Sequence, residues 1–178
     1  MIDFDKNFND GLSGGRLMDY ESNLLFPWYT RSFLKVLNTW DISKWKVFEY
    51  GSGDSTKWWK NKCSEVISVD NNKLWSEKTG AYYTQNKDEF ITYPKKFISV
   101  SKFDCIIIDG NPNEWRDYCT ESAIKCLKKN GILIIDNYNQ ESTKTGKYPL
   151  SDKLLEGKEK HVFQQKGHKD WKTSYWVI

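Results

Sequence analysis

The chain has 178 residues, with 27 basic and 24 acidic side chains and a net charge of +3. This length fits one domain better than two, and so balanced a charge argues against nucleic acid as a partner. The sequence has no membrane-length apolar run, no secretion signal and no metal-binding cysteine spacing, so we predict a cytoplasmic protein with no membrane partner. The oligomeric state stays open.

The first 44 residues precede the regular part of the pattern. Residues 1–22 are polar and contain glycine, which predicts a loose N-terminal arm, and residues 23–44 are expected to form a helical segment. In that segment apolar side chains recur at helical spacing between Tyr29 and Trp40, after Pro27. We expect this helix to pack one side on a larger body.

From residue 46 onward, predicted strands alternate with predicted helices. Strands are predicted at 46–50, 65–69, 90–93, 103–108 and 132–135, and helices at 55–62, at 72–82 and from Pro112 to a stop at Asn130-Gly131. The strand at 90–93 is the weakest, and Pro94 stops it. Such alternation predicts a mostly parallel sheet with helices on both faces.

The pattern changes in the last quarter of the chain. Residues 138–150 predict a long polar loop, in which Tyr138 and Tyr148 are candidates for covering a substrate. A short helix is predicted around 151–157, followed by strands at 161–164 and 173–178. Too few residues separate these strands for a parallel crossover. The sequence therefore predicts one α/β domain of all 178 residues, a three-layer Rossmann-like sandwich with a C-terminal antiparallel hairpin.

Polar side chains and two glycines lie where four of the predicted strands end. They are Glu49, Gly51, Ser52, Gly53 and Ser55 after the first strand, Asp70 and Asn71 after the second, Asp109 after the fourth, and Asp136 and Asn137 after the fifth. In open parallel sheets the ligand binds outside the carboxyl ends of the strands, at a topological switch point. These residues are therefore our candidate site.

The glycine loop after the first strand limits the choice of ligand. A dinucleotide loop needs a third glycine where Thr56 stands, and the lysine of a phosphate-binding loop is absent, which disfavours a dehydrogenase. A smaller zwitterion fits better, with Glu49 attracting an ammonium and the next helix N-terminus holding a carboxylate. Asp70 can accept both hydroxyls of a ribose. A plain tight turn and a helix cap are the alternative interpretations.

In combination these motifs resemble those of class I S-adenosylmethionine-dependent methyltransferases. The resemblance rests on VFEYGSGDST at 47–56, ISVD at 67–70, CIIIDG at 105–110, GILIIDN at 131–137 and the closing hairpin. It implies that the candidate residues from Glu49 to Asn71, together with Asp109, bind S-adenosylmethionine. It also implies that Asp109, Asp136 and Asn137 lie at the reaction centre.

The resemblance implies methyl transfer to a small-molecule acceptor, and we expect the acceptor atom to be oxygen. The stretch Asp-Gly-Asn-Pro at 109–112 does not match the motif of the DNA-methylating members, so nucleic acid is not the expected substrate. The alternative function is a noncatalytic module that binds S-adenosylmethionine or a nucleotide within a larger assembly.

One branch of that family, the catechol and caffeoyl-CoA O-methyltransferases, holds Mg²⁺. Asp109, Asp136 and Asn137 stand where that branch has its ligands, and oxygen ligands suit Mg²⁺. The branch also carries a lysine soon after the first aspartate, whereas here the nearest basic residue is Arg116. We therefore favour a metal-free site in which Arg116 balances the carboxylates, with magnesium as the alternative.

Overall fold

A computed structural model describes residues 17–19, 21–138, 147–165 and 171–178. In chain order its elements are β1 (Met18–Asp19), β2 (Leu24–Leu25), α1 (Arg31–Leu37), β3 (Lys46–Tyr50), α2 (Asp54–Lys62), β4 (Glu65–Asp70), α3 (Lys73–Thr79), β5 (Tyr82–Tyr83), α4 (Lys87–Thr92), β6 (Phe103–Ile108), α5 (Asn113–Cys126), β7 (Leu127–Asp136), α6 (Pro149–Leu154), β8 (Glu159–Gln164) and β9 (Lys172–Val177). A 3₁₀ turn, Tyr93–Lys96, follows α4. Within these ranges no helix is long and apolar enough to cross a membrane.

Seven of the strands form one sheet in the order β5-β4-β3-β6-β7-β9-β8. The strands from β3 to β7 pair in parallel, whereas β9 runs antiparallel to both of its neighbours, β7 and β8. The predicted mostly parallel sheet and its C-terminal hairpin are therefore confirmed. The chain moves outward from β3 to β5 and then returns to β6 on the other side of β3, which puts the topological switch point between β3 and β6.

The central strands are buried on both faces, which explains their nearly continuous apolar runs. Side chains on one face, such as Phe48, Ile106 and Ile135, join the core that includes residues of α4 and α5. Neighbours that point the other way, such as Val47 and Ile107, join the core that includes residues of α1 and α2. The alternation along each strand therefore produces the three layers that the sequence predicts.

The prediction of a strand at 90–93 is wrong, because these residues belong to α4 and the turn that follows it. The helix begins because the Asn86 side chain accepts a hydrogen bond from the Glu89 backbone N–H at 2.9 Å. The third parallel strand is instead Tyr82–Tyr83, which begins at the last residue of the helix predicted at 72–82. That helix ends earlier because Gly80 adopts the left-handed conformation, with φ of 69°.

The helix after Pro112 also ends earlier than predicted. It stops at Cys126, and β7 begins at the next residue, so Asn130-Gly131 lies within the strand rather than at the helix stop. Asn130 has a φ of 61°, and the register between β6 and β7 shifts in this region. The Asn-Gly pair therefore marks a strand irregularity, a second common use of such residues.

Part of the predicted loose arm is ordered. Met18–Asp19 pairs with Leu24–Leu25 in a short antiparallel hairpin. Its Asp19 is fully buried, where it accepts a hydrogen bond from Trp58 Nε1 at 3.0 Å and pairs with Lys62 Nζ at 3.0 Å. The hairpin is held against α2 because its carboxylate has both a neutral donor and a cation there. Residues 1–16 of the predicted arm lie outside the described residues.

Tyr138 and Tyr148 lie in the core, and whether they cover a substrate stays a prediction. Their rings stack with centroids 5.0 Å apart and both are almost fully buried, and the Tyr138 hydroxyl donates to the Asp152 carboxylate. Both rings join the core on the α5 side of the sheet, where large aromatic faces contribute strongly to packing. The middle of the predicted loop, 139–146, lies outside the described residues.

Candidate functional site

The turns after β3 and β6 touch each other at two glycines. Gly51 has a φ of +92°, and a Cβ built on it would lie 2.7 Å from Gly110 Cα. Backbone hydrogen bonds fix this approach, from Gly51 N to Val69 O at 2.8 Å and from Asp109 N to Tyr50 O at 3.0 Å. A side chain at position 51 has neither the conformation nor the space that it needs. The glycine loop is therefore part of the framework of the site.

Glu49, at the end of β3, is buried beneath three hydroxyl groups. Its carboxylate accepts hydrogen bonds from Ser55 Oγ at 2.6 Å, Thr56 Oγ1 at 2.5 Å and Ser68 Oγ at 3.2 Å. Burial raises the pKa of Glu49 to about 7, although the three donors favour its charged form. Whether this carboxylate attracts a ligand ammonium stays a prediction.

Thr56 explains why the loop departs from the dinucleotide-binding pattern. Its hydroxyl accepts from the Gly53 backbone N–H at 3.0 Å while it donates to Glu49. The residue is fully buried, so its side chain fills the place where a third glycine would leave space.

Asp70, at the end of β4, is bound to the glycine loop. Its carboxylate accepts from the backbone N–H of Ser52 at 2.6 Å, from Ser52 Oγ at 2.8 Å and from the backbone N–H of Asn72 at 2.7 Å. These bonds hold Ser52 at the strand ends. A ribose would share this carboxylate with the loop, and that contact stays a prediction.

We expect Asp70→Ala to weaken binding of S-adenosylhomocysteine by about 1.5–3 kcal/mol, because hydrogen bonds to a charged group are lost. Calorimetric titration measures the change, and Ser52→Ala is the matched variant because it removes only one of the loop contacts. Equal affinity losses in the two variants would show that Asp70 acts through the loop and not through the ribose.

Arg116, in the first turn of α5, contacts the ends of both β6 and β7. Its guanidinium donates to the carbonyl oxygens of Gly110 at 2.7 Å, Asp136 at 2.9 Å and Asp109 at 3.0 Å, and it pairs with Asp109 Oδ1 at 3.0 Å. Helical side chains lean toward the helix N-terminus, which directs this one back over the strand ends. The prediction that Arg116 balances a carboxylate of the site is confirmed for Asp109.

Asp136, at the end of β7, has neutral donors on both of its oxygens. Oδ1 accepts from Thr173 Oγ1 at 2.7 Å and Oδ2 from Asn137 Nδ2 at 2.8 Å. Burial, and then the negative charge of Asp109, raise the pKa of Asp136 to about 8. A buried carboxyl with such a pKa can take up a proton near neutrality.

These contacts do not fit a magnesium site. The Asp109 carboxylate pairs with a guanidinium, and the Asn137 amide is directed to Asp136 as a donor. No group of three or more His, Cys, Asp or Glu side chains in residues 17–19, 21–138, 147–165 and 171–178 is arranged to hold a metal ion. Arg116 instead supplies the positive charge between the two strand ends.

The two raised pKa values predict that the free energy of unfolding falls as the pH rises from about 4.5 to 8. In that window the unfolded chain has released these protons while the folded protein retains them, so deprotonation favours unfolding. We expect a decrease of several kcal/mol, with an upper bound of about 7 kcal/mol, between pH 5 and pH 8 in urea titrations. Asp136→Asn should reduce this decrease and the exposed-site control Glu121→Gln should not. A protein that becomes more stable over the same range would contradict the prediction.

A cavity of about 590 Å³ opens over these strand ends, within the range of roughly 300–1,000 Å³ that is usual for ligand sites. It is lined by Phe26, Trp28, Glu49, Gly51, Ser52, Gly53, Asp54, Ser55, Trp75, Asp109, Asn111, Arg116, Asp136, Asn137 and Trp171. Of the sequence-predicted residues, Asp70 and Asn71 do not line it. The structure brings the others together around one space.

The sequence did not identify the aromatic wall of the cavity. Phe26 and Trp28 come from the segment before α1, Trp75 comes from α3, and Trp171 directly precedes β9. Trp28 and Trp171 meet edge to face, with ring centroids 6.1 Å apart at 82°. Only the high tryptophan content, nine residues, indicated flat surfaces for a ligand.

No protein-family profile matches the sequence, and no curated protein matches it either. Among solved structures, an O-methyltransferase from Bacillus cereus in complex with S-adenosylhomocysteine is 16% identical, with a TM-score of 0.60 over 82% of this chain and 79% of that one. The N-methyltransferase NodS from Bradyrhizobium japonicum is 13% identical, with a TM-score of 0.58 over 83% and 94%.

The chain has the class I methyltransferase fold. The observed strand order, and the antiparallel closing hairpin that the sequence predicts, belong to that fold. A ribosomal RNA methylase from Streptococcus thermophilus shares it too, at 10% identity and a TM-score of 0.54 over 77% of this chain and 89% of that one. The methyltransferase fold therefore leaves the acceptor open, because proteins named for oxygen, nitrogen and RNA methylation share it.

Proposed function

We propose that the protein binds S-adenosylmethionine in the 590 Å³ cavity and transfers its methyl group to oxygen of a small-molecule acceptor. The observation that carries the proposal is the convergence of the glycine loop, Glu49, Asp109 and Asp136 on one cavity at the switch point of a methyltransferase fold. Ligands of open α/β sheets bind at that point.

Each part of the cavity has a role in the proposal. The glycine loop and the N-terminus of α2 hold the amino-acid end of the cofactor, since helix N-termini favour carboxylates. Asp70 is not part of the cavity lining but is bound to Ser52, which is, and it holds the ribose beside that residue. Trp75, on the helix that follows Asp70, offers a flat face to the adenine. Trp28 and Trp171 then form the wall on the acceptor side, near Asp136 and Asn137.

The bound cofactor supplies a methyl group attached to a positively charged sulfur. That sulfur leaves readily, because it departs as a neutral thioether. The chain's own residues align the acceptor oxygen with that methyl, and alignment supplies much of the rate. In its ionised form, Asp136 takes the proton that the acceptor hydroxyl loses, because a carboxylate with a pKa of about 8 is a stronger base than an ordinary one. Arg116 fixes the ends of β6 and β7 and so positions Asp109 and Asp136.

Binding is tested first. Calorimetry with S-adenosylmethionine, S-adenosylhomocysteine and NAD should show micromolar binding, about −8 kcal/mol, of the first two and none of the third. Binding of NAD without S-adenosylhomocysteine would end the methyltransferase proposal.

Transfer is tested next with methyl-labelled cofactor and a panel of paired hydroxyl and amine compounds, with RNA as a separate acceptor. We expect label on hydroxyl compounds, with or without a metal chelator. Label on amines alone or on RNA would overturn the proposed acceptor, and loss of transfer with chelator that magnesium restores would overturn the metal-free site. Cofactor binding without any transfer would favour the noncatalytic module.

A further inference from the structure

The cavity has aromatic side chains at both of its ends. Trp75 belongs to α3, which follows β4, whereas Trp171 directly precedes β9 and meets the ring of Trp28 edge to face. The sheet order puts three strands between β4 and β9, so the two ends lie on the order of 15–20 Å apart at about 4.8 Å per strand. Asp109 and Asp136, which follow β6 and end β7, lie between them. The proposed cofactor has one flat ring system, its adenine, and therefore accounts for one of the two ends.

The second aromatic end is attached to Asp136 by hydrogen bonds. The Thr30 backbone N–H donates to Thr173 Oγ1 at 3.0 Å, and that hydroxyl donates to Asp136 Oδ1 at 2.7 Å. Trp28 and Trp171 each stand two residues before one of these threonines, so their rings line the cavity beside this carboxyl. Trp28 is nevertheless 53% exposed. A large ring that stays half exposed at a cavity is typical of a surface that contacts a ligand.

The charges of the cavity favour a neutral acceptor over a cationic one. Asp109 pairs with Arg116 at 3.0 Å, and Asp54 pairs with Lys57 at 3.2 Å. Burial raises the pKa values of the other two acidic lining residues to about 7 and about 8, so neither offers a full negative charge near neutrality. A cationic acceptor beside the positively charged sulfonium would therefore lack a compensating partner.

We infer that the acceptor is a planar aromatic molecule that bears a hydroxyl group, and that Trp28 and Trp171 determine this specificity by contacting its ring. The inference rests on the proposed function. Two rings set at 82° can present a face and an edge to a third ring, which are the arrangements that aromatic pairs prefer. The carboxyl of Asp136 and the amide of Asn137 line the cavity nearby and can bond the hydroxyl. A saturated ring of the same carbon skeleton buries apolar surface but cannot stack.

The test measures the binding of two matched hydroxyl compounds, 2-naphthol and its saturated counterpart decahydro-2-naphthol, to protein saturated with S-adenosylhomocysteine. We expect calorimetry to show that 2-naphthol binds at least about fivefold more tightly, because each contact between aromatic rings adds a few-fold in affinity beyond the area it buries. Choline, a hydroxyl compound with a quaternary ammonium group, should bind more weakly than 2-naphthol.

Two variants assign the preference to its residues. Trp28→Leu and Trp171→Leu should each reduce the preference for 2-naphthol several-fold, while the affinity for S-adenosylhomocysteine changes less than about twofold. Trp28→Phe keeps a ring and should retain most of the preference. Tyr118→Leu is the matched control, because it removes an exposed ring of α5 that does not line the cavity. Thermal unfolding shows whether each variant is folded, and either leucine variant alone suffices for the test.

The outcomes separate the two proposals. The aromatic acceptor would be overturned by equal binding of the two naphthols, by tighter binding of decahydro-2-naphthol or choline, by no binding of either naphthol, or by an unchanged preference in the folded leucine variants. Each of these results leaves the proposed cofactor in place, because S-adenosylhomocysteine still binds. Failure of S-adenosylhomocysteine to bind the folded protein would overturn the proposed function and this inference with it.

Discussion

Replacing Arg116 by Met is expected to lower the free energy of unfolding by about 3–5 kcal/mol, the usual cost of breaking a buried ion pair by removing one partner. The change leaves the Asp109 carboxylate without its cation and removes the donors to three carbonyl oxygens at the ends of β6 and β7. Methionine is long and flexible enough to fill much of the space, so the loss reports the charge and the hydrogen bonds. Urea unfolding measures it.

Two further variants bracket this result. Arg116→Lys keeps the positive charge, but an ammonium cannot reach the same set of acceptors. Its free energy of unfolding should therefore lie between those of the wild type and Arg116→Met. Lys125→Met removes an exposed cation from the same helix, where it pairs with Glu121, and should cost less than about 1 kcal/mol. A loss in Arg116→Met no larger than in Lys125→Met would show that the guanidinium does not hold the strand ends.

Gly51→Ala is expected to destabilise the protein by about 2–5 kcal/mol, from an unfavourable backbone conformation and an overlap that packing cannot relieve. The φ of +92° is outside the range that alanine adopts easily, and the new Cβ would press on the backbone of Gly110. Since that contact joins the turns after β3 and β6, relief requires the two strand ends to separate. Cofactor binding should be lost together with stability.

Gly53→Ala provides the contrast within the same loop. A Cβ at position 53 meets nothing within 4 Å, and the backbone is extended there, so the free energy of unfolding should change by less than about 0.5 kcal/mol. If Gly53 serves the ligand, its alanine variant loses affinity for S-adenosylhomocysteine while keeping its stability. If both substitutions destabilise the protein by a similar amount, the loop tolerates no side chain at either position. The contact between Gly51 and Gly110 would then not explain the loss.

The central sheet and its polar strand ends were predictable because burial on both faces leaves an unmistakable apolar run. Phe103–Ile108 is such a run, and Asp109 marks its end. The same logic fails at 90–93, where phenylalanine, isoleucine and threonine favour strands locally but belong to α4 instead, with Phe90 buried and Thr92 exposed. Asn86, followed by acidic residues in the first turn, was the available sign of a helix start.

The acidic half of the site was predictable from sequence and the aromatic half was not. Glu49, Asp109 and Asp136 each follow a predicted strand, and parallel strands bring their carboxyl ends to one edge of the sheet. Phe26, Trp28 and Trp171 belong to segments around that sheet, and no local periodicity says where such segments cross it. Their place depends on tertiary contacts, such as the hydrogen bond from the Arg31 backbone N–H to Gln165 Oε1 at 3.0 Å.

The joining of the Trp28 and Trp171 segments has a consequence for the order of folding. The backbone N–H of Thr30 donates to Thr173 Oγ1 at 3.0 Å, across 143 residues of sequence, and the same hydroxyl donates to Asp136. Contacts between such distant residues carry a high loop-closure cost and form late. During synthesis, the glycine loop and the first parallel strands emerge long before Thr173 does. The cavity therefore acquires its far wall only when translation has passed that residue, and a nascent chain cannot hold the cofactor in its completed site before then.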